Sequence, residues 1–301
     1  MANILIVGGT GCVGIETTQA LLQQGTHKII CLSRGQTTHA ENQHITYQKG
    51  DILDLDSLSL ALETHAITHV LHVAALRTSD CKAQPHLAVK INVNGTANLL
   101  EAIRQYGKVQ RLVFLSTAAV YTVSDDESFV SENSPTTPLN AYTATKLAGE
   151  QLVECYSTNY QIPSTILRPQ IIYGLSRGSE GSTAGVSTAI TKAFHNEPFT
   201  IPFGGTTGFH YAPDIGQNTT LALISSPQHF ACYNLPVESL SLSEITQNIN
   251  REFQNESISH DSTIYPFPTG LIYDAFKKDF PDYSLTPFTT ALTQMHQQLA
   301  Q

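Results

Sequence analysis

The sequence is short of positive charge: 16 lysines and arginines stand against 25 aspartates and glutamates, a formal charge of -9 over 301 residues. A surface of that sign repels phosphate backbones, which argues against nucleic acid as a partner. A phosphorylated small ligand held by a few local groups stays open. Paired cysteines are missing as well. The five present (Cys12, Cys31, Cys81, Cys155, Cys232) are odd in number, scattered and without a Cys-x-x-Cys pair. Packed, reduced thiols in a cytoplasmic protein are the simplest account. No apolar run approaches the length of a membrane span, so no membrane partner is expected. The first such run, from Asn3, is strand-length rather than the core of a signal peptide. Twelve histidines invite a metal reading. His69 and His72, however, fall three apart in a strand-like run, where side chains point to opposite faces. No other cluster has ligand spacing, and no catalytic metal is expected. Repeats and low-complexity segments are absent too.

What is there suffices for a full core. The chain is 41% hydrophobic, enough for one large domain or one domain with a smaller lobe. It opens on Asn3-Ile4-Leu5-Ile6-Val7, a mostly apolar run that reads as a buried strand of a parallel sheet. Gly8, Gly11 and Gly14 follow, with Thr10, Cys12 and Val13 among them. Gly8 permits a tight turn, Gly11 a close approach of backbone to a pyrophosphate, and Gly14 the packing of helix on strand. The helix expected over 15–24 would aim its amides and positive dipole end at those phosphates.

Strand and helix signals then alternate. Strands are expected at 28–32, 45–48, 69–73, 111–115 and 164–167, with helices at 55–63, 85–106 and 141–160. Repeated βα units of this length imply an α/β fold of Rossmann type, a doubly wound parallel sheet with right-handed crossovers. After Gly174 the rhythm changes, and glycine, serine, threonine and proline interrupt the chain. Residues 1–174 are therefore expected to form the dinucleotide-binding domain, with a returning strand near 231–235. Residues 175–301 are expected to form mainly a small C-terminal substrate-binding lobe over the strand ends.

Three local patterns carry chemistry. The second strand ends at Ser33-Arg34, where a dinucleotide site for NAD would place an acid. A guanidinium suits a 2′-phosphate, which points to NADP, with NAD as the alternative. Asp51, followed by Ile52, sits where it would accept from the adenine amino group. Tyr142 and Lys146 are four apart, so on a helix they share a face. A phenol near pKa 10 is a poor base at neutral pH, and a neighbouring ammonium with oxidised nicotinamide favours its phenolate. Ser116 and Thr117 end a central strand, where a substrate oxygen would exchange a hydrogen bond with them. Each pattern alone is ordinary, since serine and threonine at strand ends serve turns and most Tyr-x-x-x-Lys pairs are simply exposed. Here they occur together in one order.

In that order the sequence resembles an extended short-chain dehydrogenase/reductase of the NAD-dependent epimerase/dehydratase family. The residues that carry the likeness are Gly8-x-x-Gly11-x-x-Gly14, Asp51-Ile52, Val73-Ala74-Ala75 and Asn92-Val93-Asn94-Gly95-Thr96. Ser116-Thr117-x-x-Val120-Tyr121, Glu132-x-x-Pro135-x-x-Pro138, Tyr142-x-x-x-Lys146 and Arg168-Pro169 before Ile172-Tyr173-Gly174 continue it. The resemblance implies Tyr142 as acid/base with Lys146 as its partner, Thr117 orienting the substrate oxygen and Ser116 near the nicotinamide. It implies Ala74, Ala75, Arg77 and Pro169 along the cofactor, with Asn92 ordering the same region. It also implies a homodimer through the helices at 85–106 and 141–160.

The implied reaction is hydride exchange with a hydroxyl- or ketone-bearing carbon, of a sugar or sugar nucleotide among the candidates. A simple NADPH-dependent reductase of a small aldehyde or ketone is one alternative. A non-catalytic NAD(P)-sensing protein is another, although such relatives commonly lose the Tyr or Lys kept here. Departures narrow the field. Ala118 and Ala119 replace the acidic pair of the family's dehydratases, which argues against sugar 4,6-dehydration. Gly208-Phe209-His210 stands where many sugar-nucleotide enzymes place an arginine for a diphosphate. Thr122 follows Tyr121 in place of the usual glycine.

Overall fold

Runs of Ile, Leu and Val that are apolar on both faces form strands buried on both sides. The computed structural model describes residues 1–35, 43–121, 129–181 and 183–301, so Thr122 lies outside it. Five strands come first: β1 (Asn3–Val7), β2 (Lys28–Ser33), β3 (Ile45–Lys49), β4 (His69–His72) and β5 (Arg111–Leu115). The short β6 (Phe129–Val130), then β7 (Ser164–Arg168), β8 (Ile171–Tyr173), β9 (Phe199–Ile201) and β10 (Thr206–Tyr211) follow. Last are β11 (Phe230–Asn234), β12 (Glu238–Ser241), β13 (Ile258–His260) and β14 (Gly270–Leu271).

A seven-stranded sheet runs in the order β3-β2-β1-β4-β5-β7-β11 with every pair parallel. The fold is α/β, a Rossmann-type doubly wound sheet. Alternate side chains feed two cores. On one face Leu5, Val7, Leu32, Val70, Leu112 and Phe114 pack beneath the helices α2 (Leu55–Thr64) and α5 (Gly95–Tyr106). On the other, Ile4, Ile6, Cys31, Leu71 and Val113 pack against α1 (Cys12–Gln24), with Leu21 buried among them. Strand order reverses between β1 and β4, where open sheets of this kind bind ligands beyond the strand ends.

The expected helix at 85–106 is interrupted. Past α3 (Thr78–Ala83) and α4 (Pro85–Ala88), residues Val89–Asn94 form a π-helical segment that leads into α5. Helices α6 (Ala141–Tyr160), α7 (Gly185–Phe194), α8 (Ala212–Ser225), α9 (Leu242–Phe253), α10 (Asp274–Asp279) and α11 (Phe288–Leu299) complete the chain. The lobe has its own core, where Ile190, Phe203, Phe209, Ile245 and Leu292 pack. Its sheet, β8-β10-β12, already takes in Ile171–Tyr173, ahead of the division expected at 174. Conversely, α8 packs on α1 and β11 extends the central sheet beside β7, so the chain returns to the first domain for more than one strand.

No helix is long and apolar enough to cross a membrane among the described residues. All five cysteines are free, and the described residues hold no group of three or more His, Cys, Asp or Glu placed to share a metal ion.

Candidate active site

The glycine turn is set by β1 and its neighbours. The Gly8 amide donates to the Leu32 carbonyl at 3.0 Å. Gly8 has φ +97°, and a Cβ there would lie 2.7 Å from the Ala74 nitrogen, so both its backbone angle and its neighbour require glycine. Gly11 donates to the Gly8 carbonyl at 3.1 Å and accepts from Ile15 at 2.8 Å. That bond makes Gly11 the N-cap, so α1 begins at Cys12 rather than at the expected Ile15. A Cβ on Gly14 would lie 2.6 Å from the Gly8 carbonyl, which explains the close packing of helix on turn.

A cavity of about 530 Å³ opens above this turn. Its walls include Gly8, Thr10, Gly11, Cys12, Val13 and Gly14. Across from them stand Ser116, Thr117, Tyr142, Lys146 and Pro169. A second cavity of about 260 Å³ is lined by Ser33, Arg34, Asp51, Ile52, Ala74 and Ala75. The two share Gly8, Thr10, Gly11 and Ala75, so they form one trough across the strand ends.

Two observations fit a dinucleotide in that trough. The first turn of α1 has no side-chain cap and no acidic residue, which leaves helix-end amides for a diphosphate. Ser116 Oγ, 3% exposed, has no hydrogen-bond partner among the described residues, and a buried hydroxyl without one is costly.

Asn92 lines neither cavity and acts on the region from behind its wall. It is buried, accepts from the Leu76 amide at 2.7 Å and donates to Thr145 Oγ1 at 3.0 Å. Lying within the π segment, it ties the trough wall to α6 as a positioning residue. Arg77 lines the first cavity but is engaged with Asp80 at 3.3 Å and Glu180 at 3.0 Å.

Helix α6 begins at a reciprocal cap: Thr143 donates its amide to Asn140 Oδ1 at 3.0 Å, and the Asn140 amide donates to Thr143 Oγ1 at 3.2 Å. This start places Tyr142 and Lys146 together on the cavity wall. Burial pushes the Tyr142 phenol up to about 12, a nearby Cys81 thiol adding to it, while Thr117 and Arg177 pull the other way. Burial also brings Lys146 down to about 8, against the pull of the Glu150 carboxylate. Its Nζ sits 4.2 Å above the centre of the Phe114 ring, a cation–π contact that the sequence did not announce. Cys81 and Arg177, both close enough to act on the phenol, come from elements distant in sequence and carry no spacing signal.

Behind the site lies a buried polar network. Arg168 pairs with Glu150 through two bonds, of 3.0 and 2.5 Å, and donates to the Tyr121 hydroxyl at 2.9 Å. Tyr121 in turn donates to Asn234 Oδ1 at 2.6 Å. His210 is also internal: Nε2 accepts from the Gln170 amide at 2.9 Å and Nδ1 donates to the Pro236 carbonyl at 2.8 Å. Burial holds its ring down to about 3, so it is a neutral brace for the Pro169–Gln170 turn. Asp214, at the start of α8, accepts from the amide and hydroxyl of Thr286 at 2.6 and 2.8 Å and so anchors the C-terminal segment.

A family model described as the NAD dependent epimerase/dehydratase family matches residues 4–229. The chain belongs to that family. A relative from Methanocaldococcus jannaschii named as a putative UDP-glucose 4-epimerase is 30% identical over 226 residues, 73% of each chain. Two longer trifunctional plant relatives are matched over only 41% and 28% of their own lengths. Among solved structures, a Thermus thermophilus UDP-glucose 4-epimerase in complex with NAD is similar with a TM-score of 0.85. It is 23% identical, and 99% of each chain is covered. An L-threonine dehydrogenase from Clostridium difficile is similar with a TM-score of 0.89 at 19% identity, over 100% of this chain and 98% of that one. At those identities the structural likeness bears on the fold. The epimerase/dehydratase enzymes are NAD-dependent, and in this member Ser116, Thr117, Tyr142 and Lys146 line one cavity.

Proposed function

We propose that this protein is an NAD(P)-dependent oxidoreductase or epimerase acting on a carbon that bears a hydroxyl or ketone, of a sugar or sugar nucleotide or of another small substrate. One observation carries the reading: Ser116, Thr117, Tyr142 and Lys146 meet the N-terminus of α1 in a single cavity. When bound, the dinucleotide supplies the hydride acceptor or donor. The diphosphate falls to the first turn of α1, with Gly8 to Gly14 and Ala74, Ala75 and Pro169 along its length. Lys146 holds ribose hydroxyls and supplies positive charge near the phenol. Thr117 orients the substrate oxygen, and Tyr142 moves the proton to or from it.

The dinucleotide in this reading is NADP. Arg34 is exposed at the end of β2 and lines the second cavity, where no acid follows Leu32 directly. Fluorescence titration is expected to give tighter binding of NADPH than of NADH. Arg34→Ala should weaken NADPH about tenfold and leave NADH nearly unchanged, as loss of a charge-assisted contact to a phosphate would. Tighter NADH binding, or an equal loss for both, would overturn the NADP assignment.

The protein is also proposed to work as a cytoplasmic homodimer through α5 and α6. A dimer mass in sedimentation at micromolar concentration is the expected result, and a monomer there contradicts it.

A further inference from the structure

Among the described residues, no aspartate or glutamate lines the cavity that holds Tyr142. Its charged walls, among the described residues, are Arg77, Lys146 and Arg177. A positive pocket in a chain of net charge -9 focuses anions toward its own interior.

The three cations are not equally engaged. Arg77 is held by the carboxylates of Asp80 and Glu180. Lys146 sits over Phe114 within the field of Glu150. Arg177 is half-buried and makes no ion pair with a described residue: it donates to the Glu180 carbonyl at 3.1 Å and to Thr183 Oγ1 at 3.4 Å, both neutral acceptors. A guanidinium has five N–H donors in a planar fork, so most of its donor capacity remains for a planar anion. Its place in the cavity is fixed by the preceding residue, Ser176, whose hydroxyl lies 3.4 Å from Cys12 Sγ in the first turn of α1. Its charge reaches the Tyr142 phenol. Lys192, the other cation between 174 and 210, pairs with Glu197 and does not line the cavity.

We propose that Arg177 binds a carboxylate of the substrate beside the carbon served by Tyr142, so that the protein acts on hydroxy or keto acids, acidic sugars included, in preference to neutral counterparts. This rests on the reading of the same cavity given above. The dinucleotide diphosphate is the competing source of negative charge, and the helix-end amides of α1 already answer it.

The test compares matched probes, galacturonate against galactose and 3-hydroxybutyrate against its methyl ester, on wild type, Arg177→Gln and Arg177→Lys. Two readouts are taken, steady-state turnover with NADP or NADPH and the midpoint of thermal unfolding with each probe alone. The wild type is expected to prefer the acid of at least one pair by about tenfold or more in KM or in binding. Arg177→Gln should weaken that acid roughly 10- to 100-fold more than its neutral counterpart, which shares only the loss of charge beside the Tyr142 phenol. The dinucleotide Kd should be unchanged, and Arg177→Lys should recover part of the loss. Equal use of acid and neutral probes by the wild type overturns the proposal. So does a loss in Arg177→Gln that falls on the dinucleotide instead, which would assign the arginine to the diphosphate. Failure to bind NADH and NADPH would sink the oxidoreductase reading itself. The acid-specific midpoint shift, measured without dinucleotide, would still decide the role of Arg177.

Discussion

Tyr142→Phe is expected to lower kcat/KM by roughly 10²- to 10⁴-fold, the usual worth of a positioned acid or base, with dinucleotide affinity changed by no more than about twofold. The ring stays and only the hydroxyl goes, so a large loss of rate with intact binding isolates proton transfer. Burial holds the phenol up to about 12 in the free protein, so at neutral pH Tyr142 stands as a proton donor, ready for ketone reduction. Lys146 has its ammonium lowered to about 8: below that pH the charge beside the phenol is present, and above it the charge is lost. Reduction should therefore be flat through neutral pH and fall above about pH 8. In Lys146→Arg, which keeps its charge at any such pH, the falling limb should disappear. A limb that persists in Lys146→Arg belongs to another group, and a Tyr142→Phe variant with near-normal kcat removes Tyr142 from the chemistry.

The second large effect is on stability. Arg168→Met is expected to cost about 3–5 kcal/mol of unfolding free energy, because it leaves the Glu150 carboxylate buried with its charge unpaired. Glu150 is 2% exposed and Arg168 7%, so water cannot take over as partner. The same substitution takes a donor from the Tyr121 hydroxyl and from the Glu132 carbonyl, at 2.9 and 3.3 Å. Denaturant unfolding should show a lower midpoint at similar slope. The double variant Arg168→Met/Glu150→Leu should recover much of the loss, since two apolar residues of similar volume replace an ion pair at little net cost. A cost below about 1 kcal/mol for the single variant would mean that the network bends to admit water.

How much of this the chain announces can be judged residue by residue. Strands β1, β2 and β5 are legible because a strand buried on both faces is apolar at nearly every position. Strands β4 and β7, which carry polar residues at their ends, are legible from a short apolar centre. The glycine turn is legible because positive φ and close backbone contact both demand glycine. Tyr142 and Lys146 are legible because helical geometry alone places residues four apart on one face.

The rest rests on contacts between residues far apart in the chain. The buried face of α8 includes Asn218, Thr219 and Thr220, so apolar periodicity gives no sign that this helix packs on α1. The π segment moves Asn92 off the cofactor wall and into the support of Leu76 and Thr145. Arg168 reads as part of a motif, yet its partner Glu150, its neighbour Tyr121 and the Asn234 beyond come from three other stretches of the chain. Arg177 reads as a loop cation until the fold brings Ser176 against Cys12. Local periodicity and backbone stereochemistry act over a few residues, so the sequence by itself determined the Rossmann frame and the shared helix face of Tyr142 and Lys146. Burial, charge balance and the cavity's contents depend on which distant segments meet, and only the tertiary structure decided those.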